Sequence, residues 1–417
     1  MANEPNPAAD EQPEGSSSLP SAAQESGLGD DDLDTSSPPQ GTVDEEDELP
    51  EDLPLTAEMV EEEAIRGDFM LRCAVILLAV LLGFGAISST RILVHIRSGD
   101  FMRANGFLPG PEDPFSFATG AVVAEDGGQV AVKAVNPAWL FDHVSSLIYM
   151  VGGFAGISLV KGLLAALIAW RLMRISVPGM PTWWNSICVA CAVVAISTDF
   201  APLTELVTLL GVTILLSLLH QHRESDGQIS TVRFPLLVAI WCNFDTHAWI
   251  GPLILLLYAA GARLTDILRR RSELDGETAE PSVSSTGLWL AAVASIAALL
   301  INPFPFNSLL SPIATYTVEY AQMAEHLPVT SGTGADGRLD FASMLDTDAI
   351  AKFDHTHVAG LVVILLATCV LVISWSRNDL PIALVLGGLF VLSVFALHEL
   401  PVTSIVAAVA AGTTAQR

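Results

Sequence analysis

The chain is short of charge, and of positive charge above all: 16% of its 417 residues are charged, with 19 Lys and Arg against 46 Asp and Glu. Soluble chains carry roughly 25% charged residues. A composition that is 51% hydrophobic, with a mean hydropathy of +0.51, is therefore excluded from the ordinary soluble class. The scarcity of bases excludes nucleic acid as a partner, since phosphate backbones are bound by clustered Lys and Arg. Cysteine is scarce too. Cys73, Cys188, Cys191, Cys242 and Cys369 all lie in apolar runs, and Cys188-x-x-Cys191 has no second Cys or His pair to complete a metal site. No disulfide framework is evident, and thiols in such runs behave as small hydrophobes.

Residues 1–65 lack Lys and Arg altogether yet hold 20 of the 46 acids, so most of the formal charge of −27 belongs to one end. That segment is rich in Pro, Ser, Glu and Asp, with almost no aromatic residue to bury. It reads as a disordered acidic tail over 1–66, cytoplasmic and without the basic region of a signal peptide. No internal repeat of fixed period is present.

What is there is a succession of apolar runs. A span needs about 20 apolar residues. On that criterion residues 67–417 form a membrane domain: an all-α, polytopic bundle of about nine or ten segments, surrounded by a lipid bilayer. The stretch 138–173 is expected to break near Gly152-Gly153, and a short run at 401–411 ends the series. The two long connections, 90–137 and 303–356, are outer loops. Lys and Arg in short loops mark the inner side; here they are Arg171 and Arg174, Arg223 and Arg233, and the triplet Arg269, Arg270, Arg271.

One stretch conflicts with that rule. "WCNFDTHAWIG", 241–251, interrupts the apolar run 235–262 with Asn243, Asp245 and His247. A single span there would put Arg233 and the Arg269–Arg271 triplet on opposite sides. The conflict disappears if the chain rises about ten residues, turns at "NFDTHAW" and returns, a re-entrant-like hairpin. A carboxylate at a bilayer centre costs at least ~2.5–3.5 kcal/mol, and irregular backbone at depth is tolerated only against protein or water. The apex is thus expected to line a wet cavity.

In the first outer loop, "RILVHIRSGDFMRANG" predicts a short helix over 92–104 at the membrane surface, ended by Asn105-Gly106. "LPGPEDPFS" then holds Glu112 and Asp113 in a rigid, proline-rich loop. The order "HIRSGD", "NGFLP", "DPFSF", followed by "NPAWLFDH", the turn "WCNFDTHAWIG" and Asn302-Pro303, resembles a group of bacterial polytopic proteins classed with the GT-C glycosyltransferases. The resemblance covers about residues 69–312.

What the resemblance implies is transfer of a sugar from a polyprenyl-phosphate donor on the outer face of the inner membrane. His95 and Asp113 match the group's His and Asp-Pro, Trp139 its Trp-Leu, and Asn243 and His247 its Trp-x-Asn turn. Where the group carries an acidic pair this chain has Ser89 and Arg91, and Ala138 stands where the group has Glu. That departure keeps a second expectation open, a non-catalytic membrane scaffold or assembly subunit.

Glycosyl transfer needs a base and a means of stabilising the departing phosphate. Asp100, Asp113 and Asp245 are the candidate bases; His95, Arg97, Trp139, Asn243 and His247 are the candidate substrate-binding residues. Asp245-x-His247 makes half a metal site, to be completed by His355 or His357 of "FDHTHVAG". Spacing alone assigns no metal ligand and leaves a divalent cation open as cofactor. His398-Glu399 reads as an interfacial pair.

Overall fold

The computed structural model of the protein describes residues 57–85, 87, 91–109, 120–123, 129–132, 137–177, 181–200, 203–225, 230–274, 285–314, 355–374, 376 and 379–414. The expected tail falls outside them up to residue 56, and so do Ser89 and Asp113. Helix α1 (Ala57–Gly83) begins upstream of the boundary that composition places at residue 66. The described chain is an all-α bundle; the exception among the described residues is a two-stranded antiparallel ribbon, Gly120–Val123 with Gln129–Val132. Among the described residues four helices are long and apolar enough to cross a membrane, which makes this a membrane protein. Their spans are Trp139–Met173, Thr204–Glu224, Thr246–Arg271 and Thr356–Ile373. Shorter apolar helices pack among them.

α2 (Arg91–Asn105) ends as the Asn-Gly pair predicts. Gly106 turns out of the helix with φ of 141°, its N–H still bonded to the Met102 carbonyl at 2.9 Å. α3 (Trp139–Met173) breaks where two glycines remove the Cβ constraint on the backbone, at Gly153 with φ of 57°. α1 crosses α3 at small residues: a Cβ on Gly83 would lie 2.8 Å from the Cα of Gly162. Lys161 of α3 is buried and donates to the Gly85 carbonyl at 2.6 Å, satisfying a group beyond the end of α1. Close backbone approach and satisfied carbonyls hold helices together where lipid competes equally for apolar surface.

α4 (Thr182–Ala195) and α5 (Leu203–Glu224) follow, then α6 (Arg233–Trp241) and α7 (Ile250–Leu274), separated by the interruption at 242–249. α6 runs antiparallel to α5: the His222 ring lies against Phe234 at one end, and Trp241 Nε1 donates to Thr208 at the other. α7 starts at that second end and passes Arg223, within electrostatic reach of Tyr258, on its way back. The chain therefore turns at the interruption, as the arginines require. α8 (Ser285–Ala298) packs on both arms.

α9 (Pro305–Ala314), α10 (His355–Ile373), α11 (Leu380–Phe395) and α12 (Leu400–Thr414) complete the described chain. α12 covers the short run expected at 401–411, starting one residue earlier and ending three later. All 15 of its residues are buried, and it packs against α4, α5, α10 and α11 at the centre of the bundle. Its alanines and glycine admit the neighbours: Gly412 faces Asn185, and Gly360 of α10 faces Ser404 and Leu400.

Candidate functional site

α2 lies along the first half of α3, running parallel to it. Gly99 makes the contact possible, because a Cβ there would fall 2.6 Å from Ser146 Cβ and collide with the Asp142 carbonyl. That approach brings His95 Nδ1 to 2.6 Å from Asp142 Oδ1. One turn on, Asp100 accepts from Ser146 Oγ at 2.6 Å and from Arg103 at 2.5 Å. The Ser146 hydrogen bond, with Arg103 and Arg97 nearby, holds the Asp100 carboxyl below the usual aspartate range. A carboxylate so stabilised is a poor proton acceptor. Asp100 thus anchors the helix junction. Arg97 projects into solvent from the same helix. Asp142 is fully buried and was missed in the sequence; a carboxylate inside the apolar run 138–173 was the available signal.

A second group ties α3 to the interruption. Trp139 Nε1 donates to Asn243 Oδ1 at 2.7 Å, and Asn243 Nδ2 donates to the carbonyls of Ala239 at 2.8 Å and Ile301 at 2.7 Å. Leu140 N–H donates to the Asn243 carbonyl at 3.1 Å. Asn302 completes the junction, donating to Pro137 at 3.0 Å and Cys242 at 2.8 Å. The amide of Asn243 has one acceptor and two donors in use, so its capacity is spent on the scaffold. The Trp-x-Asn turn and the later Asn-Pro thus share a structural reason for their residue types. Phe107, stacked on His143 with centroids 4.6 Å apart, packs edge-on against Trp139.

The apex holds the third group. Asp245 is buried and accepts a hydrogen bond from Thr208 Oγ1, which itself accepts from Trp241 Nε1 at 3.3 Å. Its other oxygen lies 3.7 Å from His247 Nδ1. His247 is 23% exposed, and its Nε2 is buried with no hydrogen-bond partner among the described residues. Across from it stands the short turn Leu397–Glu399 before α12. The His398 ring is 6.0 Å from that of His247, and His398 Nε2 is 3.2 Å from Glu399 Oε1. One ligand atom from each of His247, His398 and Glu399 falls within 4.8 Å of the others. Of the completing groups suggested by the sequence, His357 is not in this cluster and the His355 side chain lies outside the described residues; His398 and Glu399 stand there instead. Adjacency of two turns some 150 residues apart leaves no trace in spacing.

Beside these groups lies an apolar cavity of about 330 Å³ between α3, α5 and α6, lined by Phe141, Ile148, Val207, Leu237, Trp241 and Phe244 among others. Phe141, Val207 and Phe244 are the chain neighbours of Asp142, Thr208 and Asp245. Of the sequence candidates, the structure joins Trp139 to Asn243 and Asp245 to His247. His95 sits one helical turn from Trp139 through Asp142, and Asp100 and Arg97 lie further along α2. Comparison with protein-family models, with curated proteins and with solved structures finds no match.

Proposed function

We propose that the protein transfers a sugar from a polyprenyl-phosphate donor, at the outer face of a bacterial inner membrane. The observation that carries this reading is the apolar cavity, three of whose lining residues, Phe141, Val207 and Phe244, are chain neighbours of the buried Asp142, Thr208 and Asp245. Such a slot suits an isoprenyl chain, with the phosphosugar among the polar groups at its edge. Asp245 takes the proton of the acceptor hydroxyl as that oxygen attacks the anomeric carbon and the bond to phosphate breaks. His95, oriented by Asp142, and the exposed Arg97 meet the leaving phosphate. The inner side carries Arg223, Arg233 and the Arg269–Arg271 triplet, and the N-terminus lies with them in the cytoplasm.

The scaffold role of Trp139 and Asn243 favours a second reading, an assembly subunit that binds a lipid-linked sugar without turning it over. Membranes supplied with a labelled polyprenyl-phosphate sugar separate the two. Transfer by the wild type, falling about 100-fold or more in Asp245→Ala, is expected for a base. Binding without transfer establishes the subunit, and neither binding nor transfer removes both readings.

A further inference from the structure

We infer that the apex and the turn before α12 form a binding site for one divalent first-row cation, held by His247, His398 and Glu399. Two imidazoles and one carboxylate are a ligand set that zinc accepts with a fourth position left open. Tetrahedral arms of about 2.0–2.1 Å place ligand atoms roughly 3.3 Å apart. His398 Nε2 and Glu399 Oε1 already stand at 3.2 Å, and the whole set lies within 4.8 Å, so the His247 ring needs a shift of about 1.5 Å or less.

The orientation of His247 is an independent pointer. Its Nδ1 faces Asp245 Oδ1, while its Nε2 is buried and without a hydrogen-bond partner among the described residues. An imidazole that turns one nitrogen to a carboxylate and offers the other to a cation is the usual outer arrangement of a metal-bound histidine. Asp245 is in turn fixed by Thr208, which accepts from Trp241, so the carboxylate is held facing Nδ1, the side away from Nε2.

Charge points the same way. Asp245, Glu399 and Glu205 all act electrostatically on His247. Three carboxylates acting on one imidazole make the local field negative, and a divalent cation is favoured in such a field. His398 is 39% exposed, which leaves a route for the ion to enter and a face open to water. Glu399 and His247 come from two separate turns, so the ion would also tie the hairpin apex to the start of the central helix.

The full-length protein in detergent, stripped with a chelator and titrated with zinc chloride alone, tests this. One zinc per chain is expected. His398→Ala and Glu399→Gln should each weaken binding by about 100-fold or more, and Asp245→Asn by about 10–100-fold through the lost orientation of His247. His357→Ala should bind like the wild type. Because His398 is half-exposed, its replacement leaves folding intact, which a melting curve without metal verifies. Zinc at background level in the wild type, equal binding in His398→Ala and Glu399→Gln, or loss in His357→Ala alone would overturn the site. The readout is metal content, so it succeeds or fails independently of sugar transfer.

Discussion

Helix α12 and the hairpin apex both place polar side chains deep in an apolar bundle, yet they dispose of them in opposite ways. In α12 the hydroxyls of Thr403, Ser404, Thr413 and Thr414 donate to carbonyls one turn back, at 2.8–3.1 Å. Ser404, Thr413 and Thr414 close on their own helix, and Thr403 shares its hydroxyl with Ser393 and the Leu389 carbonyl of α11. At the apex Asp245 reaches Thr208 on α5 and faces His247, which has a buried Nε2 without a hydrogen-bond partner among the described residues and lies beside His398 and Glu399. Burial of a polar group therefore says little by itself. What separates a helix filler from a site is whether the hydrogen bond is local, and whether an atom is left facing another element.

The sharpest way to break the comparison is Asp245→Ala, which leaves Thr208 and His247 facing an apolar gap. Transfer of labelled sugar should fall about 100-fold or more, while activity that persists would place the base elsewhere. Next comes Asn243→Ala, which removes the acceptor of Trp139 and the donors to Ala239 and Ile301. Leaving those groups unpaired should cost about 1–3 kcal/mol, read as a lowered melting temperature in detergent. Gly99→Ala should loosen α2 from α3 at a similar cost of about 1–3 kcal/mol, since the new methyl meets Ser146 and the Asp142 backbone.

A smaller effect follows from Asp100. Its folded pKa is depressed, so its contribution is present above the unfolded aspartate value and is lost as pH falls through the folded one. Proteolysis at α2 should therefore rise only below the ordinary aspartate range, and a rise near neutrality would point to another group. Smallest of all, Ser404→Ala and Thr413→Val should each change stability by about 0.6 kcal/mol or less, because only a bond within one helix is lost.

Much of this was legible in the sequence wherever a local rule applied. Asn105-Gly106 ended α2, Gly152-Gly153 broke α3, and the placement of arginines forced the hairpin at 242–249. Asp245 and His247 stood out because charge in an apolar run is costly. The remainder depends on which helices meet. Asp142 and Lys161 were hidden in a run whose average is apolar, and their partners His95 and Gly85 lie 47 and 76 residues away. The approach of His398-Glu399 to the apex joins elements some 150 residues apart, which no spacing announces. The central place of α12 was not legible because centrality is a property of packing and has no sequence period of its own.

The contrast between the two regions can be read directly by thiol accessibility. In a background lacking the five native cysteines, His247→Cys and Ser404→Cys are treated in intact cells with a membrane-impermeant thiol reagent. The apex is expected to be labelled from outside, while Ser404→Cys, inside the buried α12, stays silent until the protein is denatured. Silence at position 247, or equal labelling at both positions, would contradict the assignment of the apex as the open, functional end of the bundle.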